Sequence, residues 1–193
     1  MVIGDVGLDA ARLRAVARAA GVTTGAVSHY FENKDAVLTA ALAAIARRIL
    51  DRQMGLGASV SAPTVEDVLD LACAFLPLDI QARREWRVWL AYWGRAIADD
   101  GLRVLHRDYY AAIVERLTDV LTAPGSIGAG LERDEASRLA DAMVAALDGV
   151  GARATLEPET WPPERQCQTL ALLLRPLFDT LGSPITRSDM NPP

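Results

Sequence analysis

Lysine is almost missing from this sequence. Of its 20 basic residues all but Lys34 are arginine. Histidine is scarce as well, with His29 and His106 far apart. Two cysteines, Cys73 and Cys167, stand too far apart for a zinc-ligand spacing and are too few for a disulfide framework, so a reduced, cytoplasmic chain is expected. No apolar run approaches the roughly 18 uncharged residues of a membrane span, so no membrane partner is expected. Met1–Leu8 has neither a basic start nor a long apolar stretch, so no signal peptide is expected. A Ser/His/Asp set, a glycine-rich phosphate loop and a metal-ligand cluster are all lacking. An enzyme is therefore not expected, and the catalytic residues, metal and cofactors implied are none.

What is present is helix-forming. The 193 residues include 33 Ala and 25 Leu, against 14 Gly and 10 Pro. An apolar share of 51% with a net charge of -5 excludes disorder for most of the chain. The charge is split. Residues 1–53 hold seven basic and five acidic groups, a net of +2, which leaves -7 for the other 140 residues. Like charge repels phosphate, so the basic head is the plausible polyanion surface, although so small an excess also arises by chance.

Apolar spacing predicts helices throughout and no strands. In the head they span about Ala10–Ala20, Thr24–Tyr30 and Lys34–Met54. Gly55–Pro63 reads as a loop and domain boundary, dividing a 1–53 head from a 54–193 body. Thr64-Val65-Glu66-Asp67 resembles a capping box with Asp in place of Glu, opening a helix to about Leu78. Further helices are expected at Gln81–Ala98, Leu102–Thr122, Arg133–Thr155 and Pro163–Leu181. A glycine-containing turn, Gly21-Val22-Thr23, between the first two helices has the form of a helix-turn-helix. Gly25 and Ala26 would let the second helix approach a DNA backbone, with Thr23, Thr24, Ser28 and His29 toward the groove or the phosphates. Short helices around a glycine turn also occur in proteins that bind no DNA.

The stretch from Val16 to Leu38 resembles the DNA-binding signature of the TetR (tetracycline repressor) family. The matching features are Ala20-Gly21-Val22-Thr23-Thr24-Gly25, the pair Tyr30-Phe31, and Lys34 three residues beyond Phe31. Ser28-His29-Tyr30-Phe31 is similar to the BetI-like, choline- or betaine-responsive subgroup; Trp86 to Tyr110 and Leu147-Asp148-Gly149-Val150 match its layout more loosely. The resemblance implies an all-α homodimeric repressor, with a helix-turn-helix domain on palindromic double-stranded DNA and a larger ligand-binding and dimerisation domain. It puts Thr23, Thr24, Gly25, Ser28 and His29 on the recognition helix, Tyr30 and Lys34 on phosphates, and Val16, Ala20, Val27, Phe31 and Leu38 in a small core. Ser28 stands where many members have Tyr, and Arg12 where Thr or Ser is common; a guanidinium there can fork onto a phosphate or stay solvated. The family has a full helix before this point, whereas Met1–Val6 alone precede Gly7, so the first helix reads as truncated and operator binding by this chain as weak. The alternative function is then a helical small-molecule-binding dimer without effective DNA binding.

In the body, Trp86, Trp89 and Trp93 lie at i, i+3 and i+7, with Tyr92 beside them. His106, Tyr109, Tyr110 and Ile113 follow on the next helix. These residues are either ordinary core or the wall of a chamber whose polar tips orient a ligand. Aromatic faces can hold a cation, and the subgroup resemblance and the acidic body lean toward a cationic effector. Asp141 and Asp148, near Arg138 and Arg153, read as a pocket anion, an interface pair or plain surface. The helices Arg133–Thr155 and Pro163–Leu181 are apolar on more than one side, which fits a dimer interface or one large monomeric core.

Overall fold

The computed structural model describes residues 63–179 and, before them, Thr23, Gly25, His29, Tyr30, Phe31, Asn33, Ala36, Val37 and Ala40. Arg12, Thr24, Ser28 and Lys34, the first helix, and the 1–53/54–193 boundary lie outside the described residues. Among the described residues the body has five helices in chain order: α1 Val65–Cys73, α2 Ile80–Ala96, α3 Asp100–Thr122, α4 Arg133–Leu156 and α5 Pro163–Asp179. No strand occurs among the described residues.

Each of the first three helices starts where a short polar side chain satisfies an otherwise unpaired N–H. Asp67 N–H donates to Thr64 Oγ1 at 3.2 Å, and Asp67 Oδ2 accepts from Thr64 N–H at 2.8 Å, so the expected capping box forms with Asp. The carboxylate accepts from the Thr64 N–H and also from the Thr64 hydroxyl, and these bonds to the charged form hold Asp67 below its usual range. Asp79 and Asp99 cap α2 and α3 by accepting from Ala82 N–H (2.7 Å) and Leu102 N–H (3.0 Å). The α1 helix is shorter than its apolar run suggests. It ends at Cys73, and Phe75 and Leu76 N–H turn back onto the Ala72 and Cys73 carbonyls at 3.2 and 3.0 Å. This tight turn precedes Pro77 and reverses the chain toward α2. Between α3 and α4, Gly125 takes a φ of 77°, which favours glycine. The loop beyond it is tied back by Ile127 N–H to the Pro63 carbonyl at 3.1 Å.

The core lies between α3 and α4, closed on one side by α1 and α5 and on the other by α2. Buried apolar residues come from all five helices and the turn after α1, among them Val68, Leu76, Val88, Leu121, Met143, Leu170 and Leu174. Ion pairs between helices, Arg133–Asp119 (3.0 Å) and Arg175–Glu66 (3.1 Å), are exposed and contribute little. One expectation is overturned. Cys73 and Cys167, 94 residues apart in sequence, are joined as a disulfide between α1 and α5, with Cα atoms 5.6 Å apart. Sequence separation hides this pairing because packing of α1 on α5 creates the proximity.

Replacing Thr64 with Ala removes the hydroxyl half of the capping box, leaving the backbone N–H of residue 64 on Asp67, and should cost about 1 kcal/mol, read as a lowered midpoint in urea unfolding.

Candidate functional site

One cavity opens into the core between α1, α2, α3 and α4. Its wall includes Ala72 and Phe75 from the α1 end, Glu85, Trp86 and Trp89 from α2, Tyr109, Tyr110, Ile113 and Leu117 from α3, and Met143, Val144, Leu147 and Asp148 from α4. Mouth included, it encloses about 610 Å³.

Trp86 sets the outer frame. Its indole Nε1–H donates to the Phe75 carbonyl at 2.8 Å, which fixes the turn after α1. Its six-membered ring lies against Gly151 of α4, where a Cβ would overlap Cη2 and Cζ2. Glycine at 151 is therefore a packing requirement that lets two helix backbones approach across one aromatic ring.

Trp89 sits at the centre of an aromatic stack. Tyr109 lies 4.7 Å away at a tilt of 59°, and Tyr110 and His106 each lie 6.0 Å away and nearly parallel. A polar chain threads the stack: Trp89 Nε1–H reaches Tyr110 Oη at 3.4 Å, and Tyr110 O–H donates to Asp148 Oδ2 at 2.7 Å. Burial among these rings pushes the Asp148 carboxyl up to about 6, against the opposing effect of the Tyr110 hydrogen bond. Burial and the Asp148 charge together push the Tyr110 phenol well above its ordinary value. His106 stacks on Tyr110 at 4.2 Å, and burial lowers its imidazole. Among the described residues no arginine or lysine pairs with Asp148. At neutral pH the cavity therefore holds an anionic carboxylate beside electron-rich ring faces, which suits a cation.

The seven expected ligand residues separate. Trp86, Trp89, Tyr109 and Tyr110 line the cavity. Tyr92 is fully buried and donates to the Leu102 carbonyl, which pins α2 to the start of α3. Trp93 packs at the margin of the core, and His106 backs Tyr110; neither lines the cavity. Glu85, buried and accepting from Gln81 Nε2 at 2.8 Å, belongs to the wall but had no signal in the sequence beyond facing the same way as the tryptophans. Asp148 resolves to the pocket anion, while Asp141 is exposed. In the head, Thr23, Gly25, His29 and Tyr30 are all exposed, Tyr30 to 80%. Asn33 Oδ1 accepts from Ala36 N–H at 2.8 Å, which caps the turn that follows them.

The family model for bacterial regulatory proteins of the tetR family matches residues 1–41, and the model for the C-terminal part of BetI-type transcriptional repressors matches residues 64–179. The chain is 28% identical over 162 residues to the HTH-type transcriptional regulator BetI of Vibrio campbellii, covering 82% of this chain and 77% of the relative. A transcriptional regulator from a Rhodococcus species has the same fold, with a TM-score of 0.78 and 30% identity over 92% of this chain and 90% of that one. A regulator from Saccharomonospora viridis, solved in complex with choline, has a TM-score of 0.77 and 24% identity over 90% of each chain.

Two substitutions test this geometry without any ligand. Gly151→Ala should displace the Trp86 ring, cost about 1–3 kcal/mol and shift tryptophan emission. Asp148→Asn should act oppositely. A carboxyl raised from 3.8 to about 6 contributes stability that is complete below about pH 4 and is lost as pH rises through about 6. The amide escapes that loss, so the variant should gain up to about 3 kcal/mol at pH 7, with no gain near pH 3, by urea unfolding at both pH values.

Proposed function

We propose that this chain, which belongs to the TetR family of transcriptional regulators and carries a BetI-type C-terminal domain, is a homodimeric repressor that leaves palindromic DNA when a small cation enters the aromatic cavity. Its relatives are named transcriptional regulators, and it is a regulator rather than an enzyme. A protein acting on bacterial DNA works in the cytoplasm, which is the compartment we assign.

The observation that carries the ligand reading is the Tyr110–Asp148 pair inside an aromatic wall. A half-buried carboxylate that no described arginine or lysine pairs with is costly to the fold, and the Tyr110 hydrogen bond offsets part of that cost. A cation bound beside it recovers Coulomb attraction, and the faces of Trp89, Tyr109 and Tyr110 add cation–π attraction of about 0.5–2 kcal/mol each. The choline held by the Saccharomonospora viridis regulator has this chemistry, a quaternary ammonium with no N–H, which ring faces can satisfy without a matching acceptor.

Support for the DNA reading comes from the head. Thr23, Gly25, His29 and Tyr30 present an exposed polar surface, and among the described residues a Cβ at Gly25 would meet Thr23 Oγ1 at an ordinary 3.8 Å. No described neighbour needs a glycine there, which suits close approach of a DNA backbone. The recognition surface we assign comprises these residues with Arg12, Thr24, Ser28 and Lys34.

The dimer face is the outer side of α4 and α5. Ala142, Ala145 and Gly149 are exposed along one side of α4, and Leu172 and Leu173 are exposed on α5, Leu172 to 74%. Small residues on one helix beside leucines on the next let a symmetry mate's helices pack closely. Ligand entry would shift the population of head spacings away from the one that fits two half-sites about one DNA turn or more apart.

Selection from a random duplex library with the full chain should enrich a palindrome, and choline should release it; no enriched palindrome would sink the repressor reading. Tryptophan quenching by choline should weaken about ten-fold from pH 7 to pH 5 as Asp148 is protonated, and Asp148→Asn should abolish it. Tyr110→Phe removes a hydrogen bond that lowers the Asp148 carboxyl. It should move the midpoint of that pH dependence upward. Leu172→Glu should convert the dimer to monomer in light scattering and weaken operator binding at least ten-fold, since each half-site then binds alone.

A further inference from the structure

Cys73 closes α1, and Cys167 lies near the start of α5. Their bond encloses α2, α3 and α4 in one covalent loop, and with them almost the whole cavity wall. Both cysteines are half-buried rather than sealed, so a small thiol can reach the pair. The residues on either side of Cys73 belong to the cavity: Ala72 lines it, and Phe75 both lines it and accepts the Trp86 hydrogen bond. A second tie between the helices, Arg175 to Glu66, sits at the opposite end of α1. The disulfide therefore anchors the end of α1 that forms the cavity wall. Through α5 it also reaches the helix that carries Leu172 and Leu173.

We infer that the Cys73–Cys167 pair is a redox clasp that sets how firmly the cavity wall is held, and hence how tightly the regulator binds its effector. The inference rests on the reading of the cavity as the effector site. Disulfides inside bacterial cells are usually transient and redox-sensing rather than structural. The oxidant is the disulfide of a low-molecular-weight thiol, R–S–S–R. The thiolate of one cysteine attacks one of its sulfurs, forming a mixed disulfide and expelling R–S⁻, which takes up a proton. The second cysteine thiolate then attacks the protein sulfur of the mixed disulfide and expels the second R–S⁻. The two cysteines lose two electrons and two protons, and R–S–S–R becomes two R–SH. Oxidised, the turn after α1 is anchored, the Phe75 carbonyl stays under the Trp86 indole, and the cavity is preformed. Reduced, that turn relaxes and the effector must order it on binding, which lowers affinity.

The test uses the full chain equilibrated with excess glutathione disulfide or with dithiothreitol, and the Cys73→Ser/Cys167→Ser variant. Thiol titration should show both thiols lost with glutathione disulfide and recovered with dithiothreitol. Hydrogen exchange across residues 72–86, without ligand, should be at least several-fold slower in the oxidised chain. The double variant should match the reduced chain under both conditions, with its helical circular dichroism intact. Choline should quench tryptophan at about five-fold lower concentration in the oxidised chain than in the reduced one. Thiols that persist under excess glutathione disulfide would overturn the clasp, as would oxidation that leaves exchange at 72–86 unchanged. Equal choline affinity in the two states would overturn its role in effector binding. No quenching by choline in either state, with the exchange contrast intact, would count against the cation reading and leave the clasp standing.

Discussion

A single indole ring holds the C-terminal domain in register. Trp86 is wedged between the turn after α1 and the backbone of α4, hydrogen-bonded through Nε1–H to the Phe75 carbonyl and packed against Gly151 through its six-membered ring. A side chain at 151 would hold α2 and α4 apart by the thickness of a methyl group, and close-packed interiors do not absorb such a displacement locally. The cavity lies directly beside this contact. Ala72 and Phe75 are placed by it from one side, Met143, Val144 and Leu147 from the other. What limits the cavity's shape is therefore a glycine that touches no ligand.

Inside that frame, stability and binding pull against each other. Aromatic and aliphatic side chains bury well and give the domain its core. Asp148 does the reverse: its carboxylate is displaced from water by the rings around it, which raises it to about 6, and the Tyr110 hydroxyl recovers part of the loss. A fold optimised for stability alone would carry Asn or Leu there. On the proposed function, the retained charge is the counterpart of a cation that arrives from solution. Empty, the site holds an awkward charge. Filled, it holds a compensated one. On the proposed function, effector binding is linked to the ionisation of Asp148, and the same pair makes the response sensitive to mild acid.

Most of the architecture was legible in the sequence because apolar spacing and capping chemistry are local. Thr64-x-x-Asp67 announced the start of α1, and Asp79 and Asp99 stand at the starts of α2 and α3. The apolar faces of α3, α4 and α5 run at the spacing of their helices. The site was legible in part. Trp86 and Trp89 share the cavity, but Trp93, on the same helical face, lies about 6 Å beyond Trp89 along the axis and falls at its margin. Periodicity reports direction around a helix, not depth along it. Tyr92 carried the signature of a ligand contact, yet its hydroxyl is spent on the Leu102 carbonyl.

The sequence by itself determined the all-helical class, the split between a basic head and an acidic body, the family signature around Gly21–Lys34, and the clustering of aromatics on two adjacent helices. Each is a property of neighbours along the chain: charge, period and motif. The tertiary structure alone decided three others. It set Asp148 against Tyr110, 38 residues away, it laid Trp86 on Gly151, and it joined Cys73 to Cys167 across 94 residues. Those contacts depend on how all five helices cross, which is fixed by the summed packing of their faces. No local pattern encodes such a sum, so an aspartate read as one of three things, a glycine inside a helix and two cysteines read as reduced acquire their roles only when the helices meet.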